Sequence, residues 1–401
     1  MRYFILIVLS IFLIPLSSVK PGIFLGAFSQ MKASDLWYVQ YVIMTTLLFI
    51  GLSLRIMKYN FLLGIFTLLC LFSAIFVTYQ APRSMFVAIQ IYLSVLAIIY
   101  ISKIDFKKCE FLLKCITIMA VIQCLWTIVQ FFQLDPFFRY VGSLDITEIT
   151  PGVKINDSVG LSGSRNQLGL YLSNTLPLIL NYSVWFLPFS LFALFCSTTS
   201  ASIIGGFSAC IFYVSFLKRK FLPLLLIVFI LAGLCFYTKF ETINDIIINE
   251  RITLWKATIQ AVKDGKLYMN VNNLNQTVYC NSWFGFGLGS FIIYSPMSQM
   301  YMVYNHFYEH AHNDYLEILF DMGYIGFFVV ILILADLLFK FIKAKKTKFL
   351  VLVSACLLSH FINALNIYTV QTAVSGSLLI LFLGLFYGEI RRQNGKSPEM
   401  A

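Results

Sequence analysis

Charge is what this chain has least of. Only 12% of its 401 residues are Asp, Glu, Lys or Arg, about half the share found in soluble globular domains. Histidine is scarcer still, with four in the whole sequence. The nine cysteines are odd in number and none is spaced as C-x-x-C, so neither a disulfide framework nor a zinc site is expected. Cys70, Cys109, Cys115, Cys124, Cys196, Cys210, Cys235 and Cys356 lie in or beside apolar runs and read as small buried hydrophobes, with Cys280 the outlier. There is no 20–50-residue repeat and no Walker-type or dinucleotide glycine fingerprint, which argues against nucleotide-driven pumping within this chain. What the sequence has is apolar residue: 59% of it is AVILMFWYC and its mean hydropathy is +0.83. Disorder, a disulfide-stapled secreted domain and a water-soluble enzyme are thereby excluded. The expected class is an all-α polytopic membrane protein.

A membrane span needs about 20 apolar residues. On that basis there are about twelve candidates, near 3–19, 36–54, 61–79, 86–102, 111–133, 167–182, 184–198, 202–217, 221–238, 323–342, 349–365 and 372–389. The first follows a lone Arg2 and runs into Ser17-Ser18-Val19-Lys20-Pro21-Gly22 without a small-residue cleavage site, so it reads as an uncleaved span. The net charge of +11 comes from 29 Lys and Arg against 18 Asp and Glu. These cations sit in short tracts between apolar runs, a pattern that encodes orientation in a bilayer and not nucleic-acid binding. With the N-terminus inside, every dense tract falls on one side: Arg55 and Lys58; Lys103, Lys107 and Lys108; Lys218 to Lys220; Lys343 to Lys348; and Arg391, Arg392 and Lys396. Both termini are then cytoplasmic. The organisation expected is nine spans in 1–238 with an outer loop at about 134–166, an extracytoplasmic loop at 239–322 with short helices, and three spans plus a cytoplasmic tail in 323–401.

The chemistry crowds into the second outer segment. Three of the four histidines, His306, His310 and His312, fall within seven residues, followed by Asn313, Asp314 and Glu317. Such a cluster reads as a solvated amphipathic loop, as a metal site of no strong zinc spacing, or as general-base chemistry. Upstream, Thr242-Ile-Asn-Asp245 resembles a capping box opening a helix with Ile248, Ile252, Trp255, Ile259 and Val262 as its apolar stripe, stopped by Gly265. Arg251 sits beside that stripe; the plain alternative is a surface cation paired with Glu250 or Asp245. Asn270 to Thr277 reads as turn material, and its sequon at Asn275 as a chance match. Trp283-Phe-Gly285-Phe-Gly287-Leu-Gly289 suits a tight re-entry in which backbone passes close to something else. In the first outer loop, Arg165 at a helix start makes an anion site, or else snorkels at the interface.

His312-Asn313, nine residues, then Gly323-Tyr-Ile-Gly326 resembles the signature of the O-antigen ligase and O-antigen polymerase family, bacterial lipid-linked glycan transferases. Arg251 with Trp255, the Gly285 to Gly289 stretch and the span plan share in the resemblance, which covers roughly 160–330 in motifs. It implies a C-type glycosyltransferase-like fold in the bacterial inner membrane, multi-pass, with its active site on the periplasmic side. The implied activity is metal-independent, cofactor-free, inverting transfer of a glycan from an undecaprenyl-pyrophosphate donor to an acceptor hydroxyl, such as that of lipid A core. His312 would be the base and Arg251 the pyrophosphate ligand. Arg165, His310, Asn313, Trp255 and Gly287 would complete the substrate-binding set. Ala201 stands where ligases carry a first functional arginine, and Arg165 is the candidate to replace it. The alternatives are a repeat-unit polymerase with a second lipid-linked glycan as acceptor, a transporter or flippase, and a partner-binding membrane protein. A transporter would place its chemistry at mid-membrane, where Lys114, Asp336 and His360 are the chief ionisable residues.

Overall fold

The computed structural model describes residues 49–77, 81–132, 160–162, 165–197, 199–217, 244–271, 274–292, 310–367 and 373–395, with isolated positions 134, 158, 223 and 369. In chain order the elements are α1 (Phe61–Phe72), continuing as a π-helical turn (Ser73–Val77), α2 (Ala81–Ile101), α3 (Phe106–Phe131), α4 (Arg165–Tyr182), α5 (Leu187–Cys196), α6 (Ser200–Leu217), α7 (Asn244–Asp264), β1 (Lys266–Val271), β2 (Leu274–Tyr279), α8 (Asp314–Lys343), α9 (Lys348–Asn363) and α10 (Ala373–Gln393). The candidate spans at 3–19 and, apart from position 223, 221–238, with most of 36–54, fall outside the described residues. So do the loop at 135–157, Thr242 and His306.

Four described helices are long and apolar enough to cross a membrane: Arg83–Ile101, Phe106–Phe131, Ser200–Leu217 and Asp314–Lys343. Their apolar side chains are not all turned inward. Along α8, Phe328 is 60% exposed and Ile342 63%, a pattern that in water would be an aggregation surface and in hydrocarbon costs nothing. The chain is an all-α membrane protein, with one small hairpin as its β structure among the described residues.

The chain divides into two compact units, one holding Tyr100–Thr238 and Ala344–Ala401, the other Lys20–Ile99 and Lys239–Lys343. The first unit is built around α4, which is buried continuously from Leu168 to Ile179 and packs against α3, α6, α9 and α10. A neutral polar network locks these helices in register. His360 on α9 meets Thr369 Oγ1 through Nε2 at 2.9 Å and Ser375 Oγ through Nδ1 at 3.2 Å. Asn363 donates to Ser173 Oγ at 3.0 Å and Asn174 Oδ1 at 3.2 Å on α4. Hydrogen bonds of this kind join membrane helices because the alternative is a polar group in hydrocarbon. The polar partners of His360 here are hydroxyls and an amide, which suits a structural joint more than a proton path. Lys114 pairs with Glu110 on the exposed face of α3. In the second unit Asp336 pairs with Lys340 one turn along α8.

The second unit is organised by a break in α8. Gly323 has φ +64° and ψ −164°, a region essentially closed to other residues. A break inside an apolar helix frees backbone groups that a membrane interior does not satisfy. Here the loop 281–290 supplies the partners: Phe286 N–H donates to Phe320 C=O and Gly287 N–H to Asp321 C=O, each at 2.9 Å. In return Tyr324 and Ile325 N–H donate to Ser282 and Trp283 C=O, each at 3.1 Å. Backbone meets backbone so closely that a Cβ on Gly323 would lie 2.5 Å from Gly285 N, and one on Gly285 2.5 Å from Phe320 C=O. The tight re-entry expected from the alternating glycines is therefore present, and what it passes is the broken helix.

Two expectations need correction. Of the stretch Asn270 to Thr277 the described residues are strand and not turn, Asn270 pairing with Asn275 and Val271 with Leu274, because the β1–β2 ladder satisfies their backbone groups whatever the side chains. Ile252 and Ile259 do not belong to the buried stripe of α7. They are 39% and 46% exposed, and the buried face is Leu254, Thr258, Ala261 and Val262. The helix carries apolar residues on two adjoining faces, so periodicity alone allows either choice.

Candidate functional site

The site is assembled where α7 meets the start of α8. Arg251 lies three, four, seven and eleven positions before Leu254, Trp255, Thr258 and Val262, so it shares the face of α7 that packs on the cluster of Phe286, Phe291, Ala311, Leu319 and Phe320. Trp255, one turn on, donates its Nε1–H to Ala311 C=O at 2.8 Å. The tryptophan thereby fixes the peptide between His310 and His312 against the arginine-bearing helix. Its indole N–H is committed to this bond, so a substrate contact by Trp255 would use the ring face.

His312 has φ +50°, the single positive value for a non-glycine among the described residues. A left-handed histidine costs free energy and persists only where its neighbours over-determine it. Three grips do so. Trp255 holds Ala311 C=O. Glu317 accepts from Ala311 N–H through Oε2 at 3.2 Å and meets His310 Nδ1 through Oε1 at 3.1 Å. Asn313 caps α8, its Oδ1 accepting from Tyr315 and Leu316 N–H at 3.1 Å each. The side-chain oxygen of Asn313 is thus occupied by the helix, and His310 is a partner of the buried Glu317. Gly287, with φ +106°, is buried and donates its N–H to the α8 break.

The electrostatics join Arg251 to His312. Burial first, then the electrostatic influence of Arg251 and of the neighbouring His310, push the His312 imidazole down from its usual range to about 3. It is therefore neutral throughout the physiological range. The sign of the linkage follows. Because the folded-state value lies below the unfolded one of about 6.5, stability from His312 is fully present above that pH and is lost as the pH falls from there towards 3. The difference in thermal midpoint between wild type and His312→Gln, measured from pH 8 to 4, is expected to be constant down to about 6.5 and then to shift steadily against the wild type.

Residues the sequence reading passed over hold this arrangement in place. Asp321 is buried and accepts from Gly289 N–H at 2.7 Å, Phe291 N–H at 2.9 Å and Ser290 Oγ at 3.2 Å. Ser73, at the start of the π-helical turn, accepts from Leu288 N–H at 2.9 Å, and Ser84 on α2 donates to Leu288 C=O. The available signal was Glu317 and Asp321, one turn apart in an apolar segment of a chain poor in acids. Trp255→Phe should leave Ala311 C=O buried without its donor, at about 1–3 kcal/mol. Hydrogen exchange of the 311–316 amides should rise accordingly; unchanged protection would show that Glu317 and Asn313 suffice.

Arg165 belongs to the first unit, where α4 begins with it. Thr199 Oγ1 donates to Arg165 C=O at 3.4 Å, which sets Arg165 beside the 199–201 segment. Ala201 itself is buried against Leu170 and Ile367. The side chains of Glu250 and Asp245 lie outside the described residues. Among those described, no three His, Cys, Asp or Glu side chains converge. Seven of the eight described cysteines are buried free thiols and Cys280 is partly buried.

No protein-family model and no curated protein matches this chain. The functional reading therefore rests on the geometry and on the resemblance in its motifs.

Proposed function

We propose that the chain is a glycan transferase that moves an oligosaccharide or polysaccharide from an undecaprenyl-pyrophosphate donor to an acceptor hydroxyl at the outer face of the bacterial inner membrane, in a chain of about twelve spans with both ends cytoplasmic. The observation that carries this reading is a neutral, conformationally held His312 at the start of α8, with Arg251 on the face of α7 that packs there and near enough to act on the imidazole electrostatically. Such a pair meets the two needs of the reaction. The acceptor oxygen attacks the anomeric carbon, its proton passes to His312, and the bond to the pyrophosphate oxygen breaks as Arg251 takes up the departing charge through its planar fork. Attack on the face opposite the leaving group inverts the anomeric centre. O-antigen ligation onto lipid A core is one version, and repeat-unit polymerisation with a second lipid-linked glycan as acceptor is the other.

An imidazole held near 3 is a weak base, and the donor supplies the remedy. Burial, the largest cause of the low value, stays; but a pyrophosphate bound at Arg251 offsets the second cause and adds negative charge nearby, so the proton affinity of the imidazole rises when the donor is in place. The test is transfer by the full chain in liposomes, with undecaprenyl-pyrophosphate-linked glycan as donor. The acidic limb of kcat, which reports the donor complex, should lie at higher pH than that of kcat/KM, which reports the free protein. Coincident limbs would remove the coupling, and no transfer to lipid A core or to a second lipid-linked glycan would remove the reading.

A further inference from the structure

Away from this site, one end of the first unit gathers cations around a recess. A cavity of about 100 Å³ lies between the turn leading from α2 into α3 and the last turn of α10, lined by Lys103, Ile104, Asp105, Phe106, Arg391 and Arg392 among others. Gly388 brings α10 against this turn, since a Cβ there would lie 3.0 Å from Ser102 C=O.

The two arginines are held in different ways. Arg392 is fully engaged: Nε and Nη2 donate to Glu389 Oε2 at 3.1 and 3.0 Å, and Nη1 donates to Ile104 C=O at 3.2 Å. Its guanidinium lies 5.4 and 5.5 Å from the ring centres of Phe106 and Phe349. It is a fixed part of the wall. Arg391 Nε, by contrast, is buried with no hydrogen-bond partner in the protein. Burying a donor of a charged group without an acceptor is costly, and the cost is removed when a ligand brings one. The chain's own nearby acid is occupied, since Asp105 pairs with Lys108 at 3.1 Å. Glu389 is taken by Arg392. Beside the same recess α3 starts at Phe106 after its N-cap residue Asp105, whose carboxylate makes no cap hydrogen bond and turns to Lys108, so the first amides of the helix have no side-chain acceptor there.

We propose that this recess binds a phosphate group, either on an anionic lipid headgroup or free in solution. Phosphate matches the donor set better than a carboxylate or halide. It offers several acceptor oxygens at once to a guanidinium, the Lys103 ammonium and the amides of a helix start. Basic recesses between membrane helices on the cytoplasmic side are where acidic headgroups bind, and Lys103 and Arg391 belong to two of the tracts that read as cytoplasmic. The proposal is independent of the transferase reading.

The test titrates the full chain in neutral detergent with dioctanoyl phosphatidylglycerol, dioctanoyl phosphatidylcholine and inorganic phosphate, following stoichiometry by native mass spectrometry and affinity by thermal shift. Phosphatidylglycerol is expected to bind one per chain and more tightly than phosphatidylcholine. Arg391→Gln should weaken it about tenfold or more and Arg391→Lys by less, as one charged hydrogen-bonding group is lost or replaced by an ammonium. Displacement by inorganic phosphate would identify a free-phosphate site, and retention of the lipid against millimolar phosphate a headgroup site. Arg392 is left intact because it holds the wall together. Equal binding of the two lipids, an Arg391→Gln protein that is monodisperse and binds as the wild type does, or binding of neither phosphatidylglycerol nor phosphate would each overturn the proposal.

Discussion

Replacing His312 by alanine is expected to lower transfer by about 10²–10⁴-fold, the range a positioned proton acceptor supplies, while donor affinity stays within about twofold, because holding a pyrophosphate needs no imidazole base. Arg251→Ala should show the complementary pattern. Donor binding should fall by about tenfold or more as a bidentate charged contact is lost, and Arg251→Lys should restore it in part. The two variants also differ in what they do to their neighbour. Removing Arg251 relieves a positive charge that depresses His312, so its acidic limb in kcat/KM should move to higher pH. A His312→Ala protein that is folded in the membrane and transfers at the wild-type rate would end the proposed mechanism. Loss of donor binding in that variant would instead mean that His312 is a ligand for the donor.

The largest structural effect is expected from a single methyl group at the break in α8. Gly323→Ala places a Cβ 2.5 Å from Gly285 N and from Trp283 C, in a backbone region where other residues are essentially not found. Strain of that kind costs about 1–3 kcal/mol before any clash is counted, and the neighbouring atoms are backbone, which has no rotamer by which to give way. The four hydrogen bonds that close the break would be disturbed together. Low yield of folded protein and a lowered thermal midpoint are expected, and transfer should be lost with them. Gly51→Ala is the control: nothing lies within 4 Å of its Cβ, and an exposed helical glycine replaced by alanine is neutral or stabilising by up to about 1 kcal/mol. A Gly323→Ala protein as stable as the wild type would show that the α8 break is not held as described.

The membrane class, the helices along the described apolar runs, the stop of α7 at Gly265 and the burial of seven of the described cysteines, with Cys280 apart, were all legible in the sequence. These follow from composition, run length and local backbone freedom, which are properties of short stretches of chain. Arg251, Trp255 and His312 could be picked out because rare residue types stand out in a chain with so little charge. Their relation could not. That Trp255 spends its indole N–H on Ala311, that Glu317 and Asn313 hold a left-handed His312, and that Arg251 lies on the buried side of α7 depend on partners 56, six and two or three residues away.

Ile252 and Ile259 against Leu254 and Val262 make the same point from the other direction. A helix with apolar residues on adjoining faces contains two admissible buried stripes, and only the neighbour that packs on one of them decides between the two. Gly323 is the sharpest case. The sequence marks it as a glycine at the head of an apolar run, but its conformation is imposed by Gly285, nearly forty positions earlier, whose loop supplies the hydrogen bonds that the broken helix cannot make for itself. Sequence by itself determined that this chain enters a membrane and where its scarce charges lie. Tertiary structure decided which of those charges face one another, because a backbone group or a cation buried away from water takes its free energy from the partner it meets, and that partner comes from elsewhere in the chain.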